Sequence, residues 1–351
     1  YSLANSFSSL PQSKHRFQYT LFVCGSNKIV HYDLNLHYDK AIHRPADLDV
    51  KLTELLKFLV EHETRLKFPL ESSLRSAKFF CYRGLLTCIA CTPYENREPW
   101  KIVAILHKGN IYLCARDTQE KIHRKMNMTE REKQFTSWGY KFEQYLLSDE
   151  PDMEPNPDVP VDENEEFSLV FKTQLNGHTI VFGAEMDGIR CDKGSVTKPP
   201  VELGPAGIIQ YLSSKEFIEL KTNRHIENGK QENSFRRFKS KKWWCQSFLV
   251  GIDKILCGYR DDNGIVEELR LCDVRELPRK SQVEIYCYHI FHNFLYRQCY
   301  FIFFLYQLNY INLILEINKG ECQSCLILAQ KLNYMAKCCL GLHSNSTFYI
   351  K

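Results

Sequence analysis

Two tripeptides, Glu185-Met186-Asp187 and Glu219-Leu220-Lys221, constrain the fold more than any other feature of this chain. Each is an apolar residue flanked by charged ones inside a strand-like stretch. Side chains alternate across a strand, so both charged members of each triplet fall on one face. Three carboxylates and one ammonium then share one region of a sheet. Like charges repel at short range, and a hard divalent cation such as Mg²⁺ or Mn²⁺, which takes oxygen ligands, offsets that repulsion. The pattern points to metal-dependent hydrolysis of phosphodiester or pyrophosphate bonds. The plain alternative is a pair of solvated strand faces. Short motifs match by accident, so either triplet alone is weak, and the two together carry more.

At 351 residues the chain is long enough for a large core, as one domain or two merged ones. Its net charge of +4 is mild but unevenly spread. Nine acids and four prolines crowd residues 149 to 166, and five bases fall within the eight residues from Phe235 to Lys242. Such polarity suits an anionic ligand. The fifteen cysteines are scattered through apolar runs (Cys81, Cys88, Cys91, Cys257, Cys272) without framework spacing, so a reduced intracellular chain is expected. The opening residues lack a signal peptide's apolar core, so secretion is not expected, and a start at Tyr1 is compatible with a fragment or a lost leader.

The first thirty residues are polar and read as an arm or a loosely packed strand. Leu48, Leu52, Leu55, Leu56 and Leu59 have helical spacing over 48 to 62. Residues 77 to 92 and 100 to 116 read as strands, the second folded at Lys108-Gly109-Asn110 into a hairpin. Thr129 with Glu132 is a capping box that starts a helix bearing Phe135, Trp138, Phe142 and Tyr145 along one side. The acidic, proline-rich stretch reads as an exposed, poorly ordered loop. Beyond it, Asn176-Gly177 joins two strands in a tight hairpin, with Glu185 and Asp187 at the far end. A Gly/Pro-rich span (194 to 207) leads to the strand with Glu219 and Lys221. A helix follows from about Ser234 to Val250, then two strands joined at Asp261-Asp262-Asn263-Gly264.

From about Ser281 the chain has no Pro, Asp or Trp, and it is treated as an atypical C-terminal tail following a single domain over 1 to 280. Residues 298 to 315 are uncharged and long enough to raise the question of a membrane span, but Gln298, Gln307, Asn309 and Asn312 argue against it, and a membrane is not an expected partner.

The helix FRRFKSKKWWCQSFLV offers bases to phosphates and tryptophans to nucleobases, although paired aromatics on a helix more commonly anchor it to a sheet. Gln246 among apolar neighbours needs a polar partner if buried. Arg83 is suited equally to clamping a phosphate and to pairing with a surface acid. Cys322 and Cys325 with Cys338-Cys339 have poor zinc spacing. The chain has no P-loop, no dinucleotide glycine fingerprint and no Gly-x-Ser-x-Gly.

Tyr82-Arg83-Gly84, Thr92-Pro93-Tyr94-Glu95, Gly139-Tyr-Lys-Phe-Glu143, Glu185-Met-Asp187-Gly188, Glu219-Leu-Lys221-Thr222 and Lys242-Trp-Trp-Cys-Gln246-Ser247 occur in this order over roughly residues 15 to 275. This ordered set resembles the DXO-type (DXO/Rai-like) decapping exoribonuclease family. The resemblance implies an α+β fold with mixed β-sheets flanked by helices around a PD-(D/E)XK nuclease-like core. It implies hydrolysis at RNA 5′ ends, removing incomplete, triphosphate or NAD-type caps, with 5′–3′ degradation of the body to follow. By the same resemblance Glu143, Glu185, Asp187 and Glu219 would hold two Mg²⁺ or Mn²⁺ ions, assisted by the Leu220 carbonyl. Lys221 and Gln246 would touch the scissile phosphate and Arg83 a further one. Two departures stand out: Ser240 and Lys241 lie where the family favours apolar residues, and the tail after about 281 differs from the family's usual C-terminal region. Residence in the nucleus, with the cytoplasm as second choice, comes from the family alone. A non-catalytic partner that stabilises a separate 5′–3′ exoribonuclease is the second reading, and a DNA nuclease of the wider PD-(D/E)XK group, which the Gly-Tyr-Lys-Phe-Glu motif disfavours, the third.

Overall fold

A computed structural model describes residues 6–7, 19–20, 28–45, 48, 51–61, 78–92, 98–107, 110–151, 153–175, 178–190, 204–280 and 312–317. Numbered in chain order, its strands are β1 (Ser6–Phe7), β2 (Tyr19–Thr20), β3 (Lys28–Asp33), β4 (Lys78–Tyr82), β5 (Trp100–His107), β6 (Asn110–Arg116) and β7 (Leu147–Ser148). There follow β8 (Ser168–Leu175), β9 (His178–Glu185), β10 (Gly188–Arg190), β11 (Phe217–Arg224), β12 (Lys254–Arg260), β13 (Ile265–Asp273) and β14 (Asn312–Ile317).

Strands that follow one another in sequence pair antiparallel, β5 with β6, β8 with β9, and β12 with β13. Long-range pairing then assembles two mixed sheets, in the orders β1-β8-β9-β4-β6-β5-β14 and β3-β13-β12-β11-β10-β2-β7. β4 lies between β9 and β6 and runs parallel to both. Its Phe79, Phe80 and Cys81 are all buried, as expected of a strand covered on both faces. Helices flank these sheets, giving the α+β architecture that the sequence predicts.

The second sheet is clothed on both sides. Ile218 and Leu220 of β11 and Leu256 of β12 pack on Trp138, Phe142 and Leu146 of the Glu130–Leu146 helix. On the opposite face of β12, Ile255, Cys257 and Tyr259 meet Ala90 of the Arg83–Cys91 helix and Trp243, Trp244 and Cys245 of the Ser240–Val250 helix. The tryptophans are therefore core anchors. Glu219 and Lys221 sit opposite Ile255 and Cys257 in the parallel β11/β12 register, so both project to this second face.

Several expectations change. The 77 to 92 run is a strand only to Tyr82, and Arg83–Cys91 is a helix. Leu85, Leu86, Ile89 and Ala90 are its buried face, and their helical spacing is hidden because they continue an apolar strand without a break. The acidic stretch is largely exposed but tied down. Ile42 bridges to Asp162, Glu163 accepts from the Arg44 N–H at 3.0 Å, and the buried Lys141 donates to the Pro157 carbonyl. Helices Gln119–Met126 and Gly204–Ser213 escaped the sequence reading, the first started by a Thr118 cap and the second opening within the Gly/Pro-rich span. The expected Ser234–Val250 helix begins earlier, with Gly229–Ser234, and passes through a π-helical turn, Phe235–Lys239. Ser240, the polar departure, is buried at that junction and donates to the Arg236 carbonyl at 2.8 Å. The Asn176-Gly177 turn, residues 298 to 311 and the Cys322 to Cys339 group lie outside the described residues. No helix of the described residues is long and apolar enough to cross a membrane.

Candidate active site

The chain changes sheets at Met186-Asp187. Glu185 is the last residue of β9 in the first sheet, and Gly188 opens β10 in the second. Met186 is buried and donates its N–H to the Phe167 carbonyl at 2.8 Å, which pins the crossing. Asp187 is thereby turned towards β11, where its Oδ2 accepts the Leu220 N–H at 2.6 Å. A hydrogen bond from a backbone N–H to a side-chain carboxylate thus joins the two tripeptides on which the sequence reading rests.

β11 supplies the next pair. Glu219 is fully buried, and Lys221 Nζ lies 2.7 Å from its Oε1 and 3.9 Å from Asp187 Oδ2. Arg83, the first residue of its helix and also buried, donates Nη1–H to the other Glu219 oxygen at 3.1 Å. Burial alone would push the Glu219 carboxyl up, and these two cations reverse that, holding it below its ordinary value. Lys221 responds oppositely. Burial acts to lower its pKa, but Asp187 and Glu219 drive it well above the usual lysine range, so it stays charged. Arg83 therefore has a buried acid as its partner, not the surface acid considered from sequence.

The remaining carboxylates are less fully compensated, Asp187 having Lys221 only at 3.9 Å. Glu143, brought in by the capped Glu130–Leu146 helix, is pushed well above its ordinary pKa by burial and by Asp187 and Glu185. Burial and the Glu219 charge raise Asp187 to about 6. Glu185 is raised to about 7 by burial and Asp187. Glu185 is nevertheless open to solvent, so surrounding protein displaces only part of its hydration. Four carboxylates here face two directly paired cations.

That surplus of negative charge, and a donor set made only of hard oxygens, fit a divalent cation of the Mg²⁺ or Mn²⁺ kind. Among the described residues no three acidic, histidine or cysteine side chains already converge on one point as a finished cage. Arg83 and Lys221 instead take the Glu219 oxygens.

Gln246 is half-buried on the helix packed against the one bearing Arg83, and no described contact joins it to the carboxylates. Sequence reasoning missed Arg44. Its guanidinium is hydrogen-bonded to Tyr140, lies 3.4 Å from Glu166 Oε2 and senses the Glu185 charge. Tyr140 belongs to a noted motif, but nothing local marks Arg44, which is positioned by the Ile42 to Asp162 bridge.

Residues 4–304 match the family described as RAI1 like PD-(D/E)XK nuclease, a span that runs past the compositional change near 281. The chain is 35% identical over 259 residues to the decapping and exoribonuclease protein Rai1 of Drosophila melanogaster, covering 71% of this chain and 65% of that protein. It is 31% identical over 240 residues to the human decapping and exoribonuclease protein, covering 68% and 56%. The chain thus spans between about half and two thirds of the length of these curated relatives. Among solved structures, Rai1 of Scheffersomyces stipitis superposes with a TM-score of 0.66 at 19% identity, covering 92% of this chain and 90% of that one. Candida albicans Rai1, solved with pU5 and Mn²⁺, gives 0.64 at 21%, covering 94% of each. These likenesses establish a common fold, and the sequence match extends over most of the chain: it belongs to the RAI1-like PD-(D/E)XK nuclease family.

Proposed function

We propose that this chain is a divalent-metal-dependent hydrolase of RNA 5′ ends, removing incomplete, triphosphate or NAD-type caps to leave a 5′-monophosphate, with 5′–3′ degradation as a second activity. The observation that carries the reading is the gathering of Glu143, Glu185, Asp187 and Glu219 from a helix, a strand end, a crossing and a second strand beside the charged Lys221. The curated relatives' names describe decapping and exoribonuclease proteins, and Rai1 proteins have been solved with pU5 and Mn²⁺ and with 3′-NADP⁺ and calcium.

Glu143, Glu185, Asp187 and Glu219, with the Leu220 carbonyl, would hold two ions. Bound there, Mg²⁺ or Mn²⁺ supplies an activated water and offsets phosphate charge. The chain's own groups do the rest. Lys221, charged throughout the neutral range, lies beside Asp187 and Glu219 and neutralises a phosphoryl oxygen placed between them. Arg83 offers a planar guanidinium to a neighbouring phosphate. Gln246 orients the scissile group from its helix, and the buried β11 wall keeps bulk water from that side. The site of action is the nucleus, and RNA 5′ ends and a separate 5′–3′ exoribonuclease are the partners that the family suggests.

The test is incubation with 5′-triphosphate, unmethylated-capped, NAD-capped and 5′-monophosphate RNA in Mg²⁺ or Mn²⁺, beside Asp187→Asn. Release of the 5′ group, falling at least about 100-fold in the variant, is expected. A folded protein that releases nothing from any of the four refutes the hydrolase reading and leaves the non-catalytic partner role, to be checked by co-purification of exonuclease.

A further inference from the structure

Two thiols lie in contact where the helix that begins at Arg83 packs on the helix that carries Gln246. Cys91 closes the helix that Arg83 opens, and Cys245 immediately precedes Gln246 on the Ser240–Val250 helix. Their Sγ atoms are 3.8 Å apart, across a sequence separation of 154 residues. Both belong to the apolar cluster that seats these two helices on β12. Cys245 is buried, whereas Cys91 is partly open to solvent. The hydrolytic roles proposed above use neither sulfur.

We propose that Cys91 and Cys245 form a redox modification site, a reversible disulfide that joins the helix bearing Arg83 to the helix bearing Gln246. The oxidant is a low-molecular-weight disulfide of the glutathione class. The Cys91 thiolate, the more accessible, attacks one of its sulfurs and expels the first small thiol. Cys245 then gives up its proton and displaces the second, closing the protein disulfide. Two electrons and two protons leave on the two small thiols, so the exchange balances. A disulfide bond is about 2.05 Å long, so the sulfurs must approach each other by roughly 1.8 Å. The seam between the two helices absorbs that movement, one residue from Gln246.

The functional consequence rests on the hydrolase reading above: oxidation slows 5′-end hydrolysis by on the order of tenfold, because displacements near 1 Å in a positioning group have effects of at least that size. The experiment equilibrates the full chain in graded mixtures of oxidised and reduced glutathione. One portion of each is mapped by non-reducing peptide mass spectrometry and another assayed on 5′-triphosphate RNA. The expected result is a Cys91–Cys245 linked peptide that grows with the oxidised fraction, disappears on adding reductant and is missing from Cys91→Ser. Hydrolysis falls and recovers in step in the wild type and stays constant in Cys91→Ser. Absence of the linked peptide, or linkage of other cysteines in its place, overturns the site. A linked peptide with unchanged hydrolysis overturns the switch. If the reduced protein hydrolyses nothing, the hydrolase reading fails instead, and the peptide map alone decides the disulfide.

Discussion

Replacing Arg83 by Met removes one of two cations that keep a fully buried carboxylate charged. Glu219 has no exposure to solvent, and its two oxygens are 3.1 Å from Arg83 Nη1 and 2.7 Å from Lys221 Nζ. Breaking a buried pair by deleting one partner costs about 3 to 5 kcal/mol, because the other charge is left uncompensated. Lys221 stays in place and retains part of the compensation, so the expected loss is about 2 to 3 kcal/mol. For a chain of this length that lowers Tm by roughly 3 to 5 °C at neutral pH. The sign of the pH dependence follows from Glu219. Its folded pKa is depressed, so its contribution is present above the ordinary carboxylate pKa of 4.5 and fades as pH falls through the lower folded value. In Arg83→Met that depression shrinks, Glu219 takes up a proton more readily, and the gap to wild type narrows on acidification. The double variant Arg83→Met/Glu219→Gln removes the stranded charge and should regain at least half of the loss. Thermal unfolding of the wild type, both single variants and the double variant, at neutral and acidic pH without added metal, gives the cycle. A single variant that melts within about 1 °C of wild type, or strict additivity in the double, refutes the argument that Arg83 acts by compensating Glu219.

Asp187 and Glu185, raised to about 6 and about 7, stabilise the metal-free protein only where they are protonated. That stabilisation is complete below their ordinary values of 3.8 and 4.5 and is lost as pH rises through the folded values. The metal-free Tm should therefore fall between about pH 5.5 and 8, and excess Mn²⁺ should raise Tm far more at pH 8 than at 5.5; a shift independent of pH would count against a carboxylate site. Gly258 faces the Phe142 ring so closely that a Cβ would collide with it, so Gly258→Ala should lose about 1 to 3 kcal/mol in unfolding and, by displacing the neighbouring Glu143, also slow RNA cleavage. Thr129 and Glu132 cap the Glu143 helix reciprocally, and Thr129→Ala should cost about 1 kcal/mol in thermal unfolding with little change in cleavage, since Glu143 lies nearly four turns away.

The parts of this site that were legible in the sequence are those whose geometry is local. Glu219-Leu220-Lys221 lies wholly within β11, so alternation alone places both charges on one face and buries Leu220 on the other. The Glu143 helix announces its start by a two-residue cap and its buried side by Trp138 and Phe142. Strand alternation does not account for the placing of Glu185 and Asp187. They are the end of one strand and the middle of a crossing, and the Leu220 N–H, from a strand more than thirty residues on, turns Asp187 into place. Arg83 was misassigned because the apolar run of β4 continues unbroken into the buried face of a helix, leaving no polar punctuation at the change of period. The placing of β4 between β6 and β9, and of Arg44 near Glu185, depends on pairings between distant segments that no local pattern encodes.

The same distinction explains why the charges tolerate one another before any metal is present. Each carboxylate arrives on an element whose own stability comes from elsewhere: Glu143 on a helix held by Trp138 and Phe142, Glu219 on a strand held by Ile218 and Leu220, and Asp187 on a crossing pinned by buried Met186. Electrostatic strain in the cluster is thereby opposed by apolar packing outside it. Within the cluster, Arg83 and Lys221 compensate Glu219 most fully, and Glu143, Asp187 and Glu185 respond to their neighbours by holding protons more tightly. On the proposed reading a divalent cation then replaces protons on those three acids and competes with Arg83 and Lys221 for the fourth. Two cationic groups that serve the folded protein as counter-ions become available to phosphate when the metal binds, so metal affinity and substrate affinity are linked through Glu219.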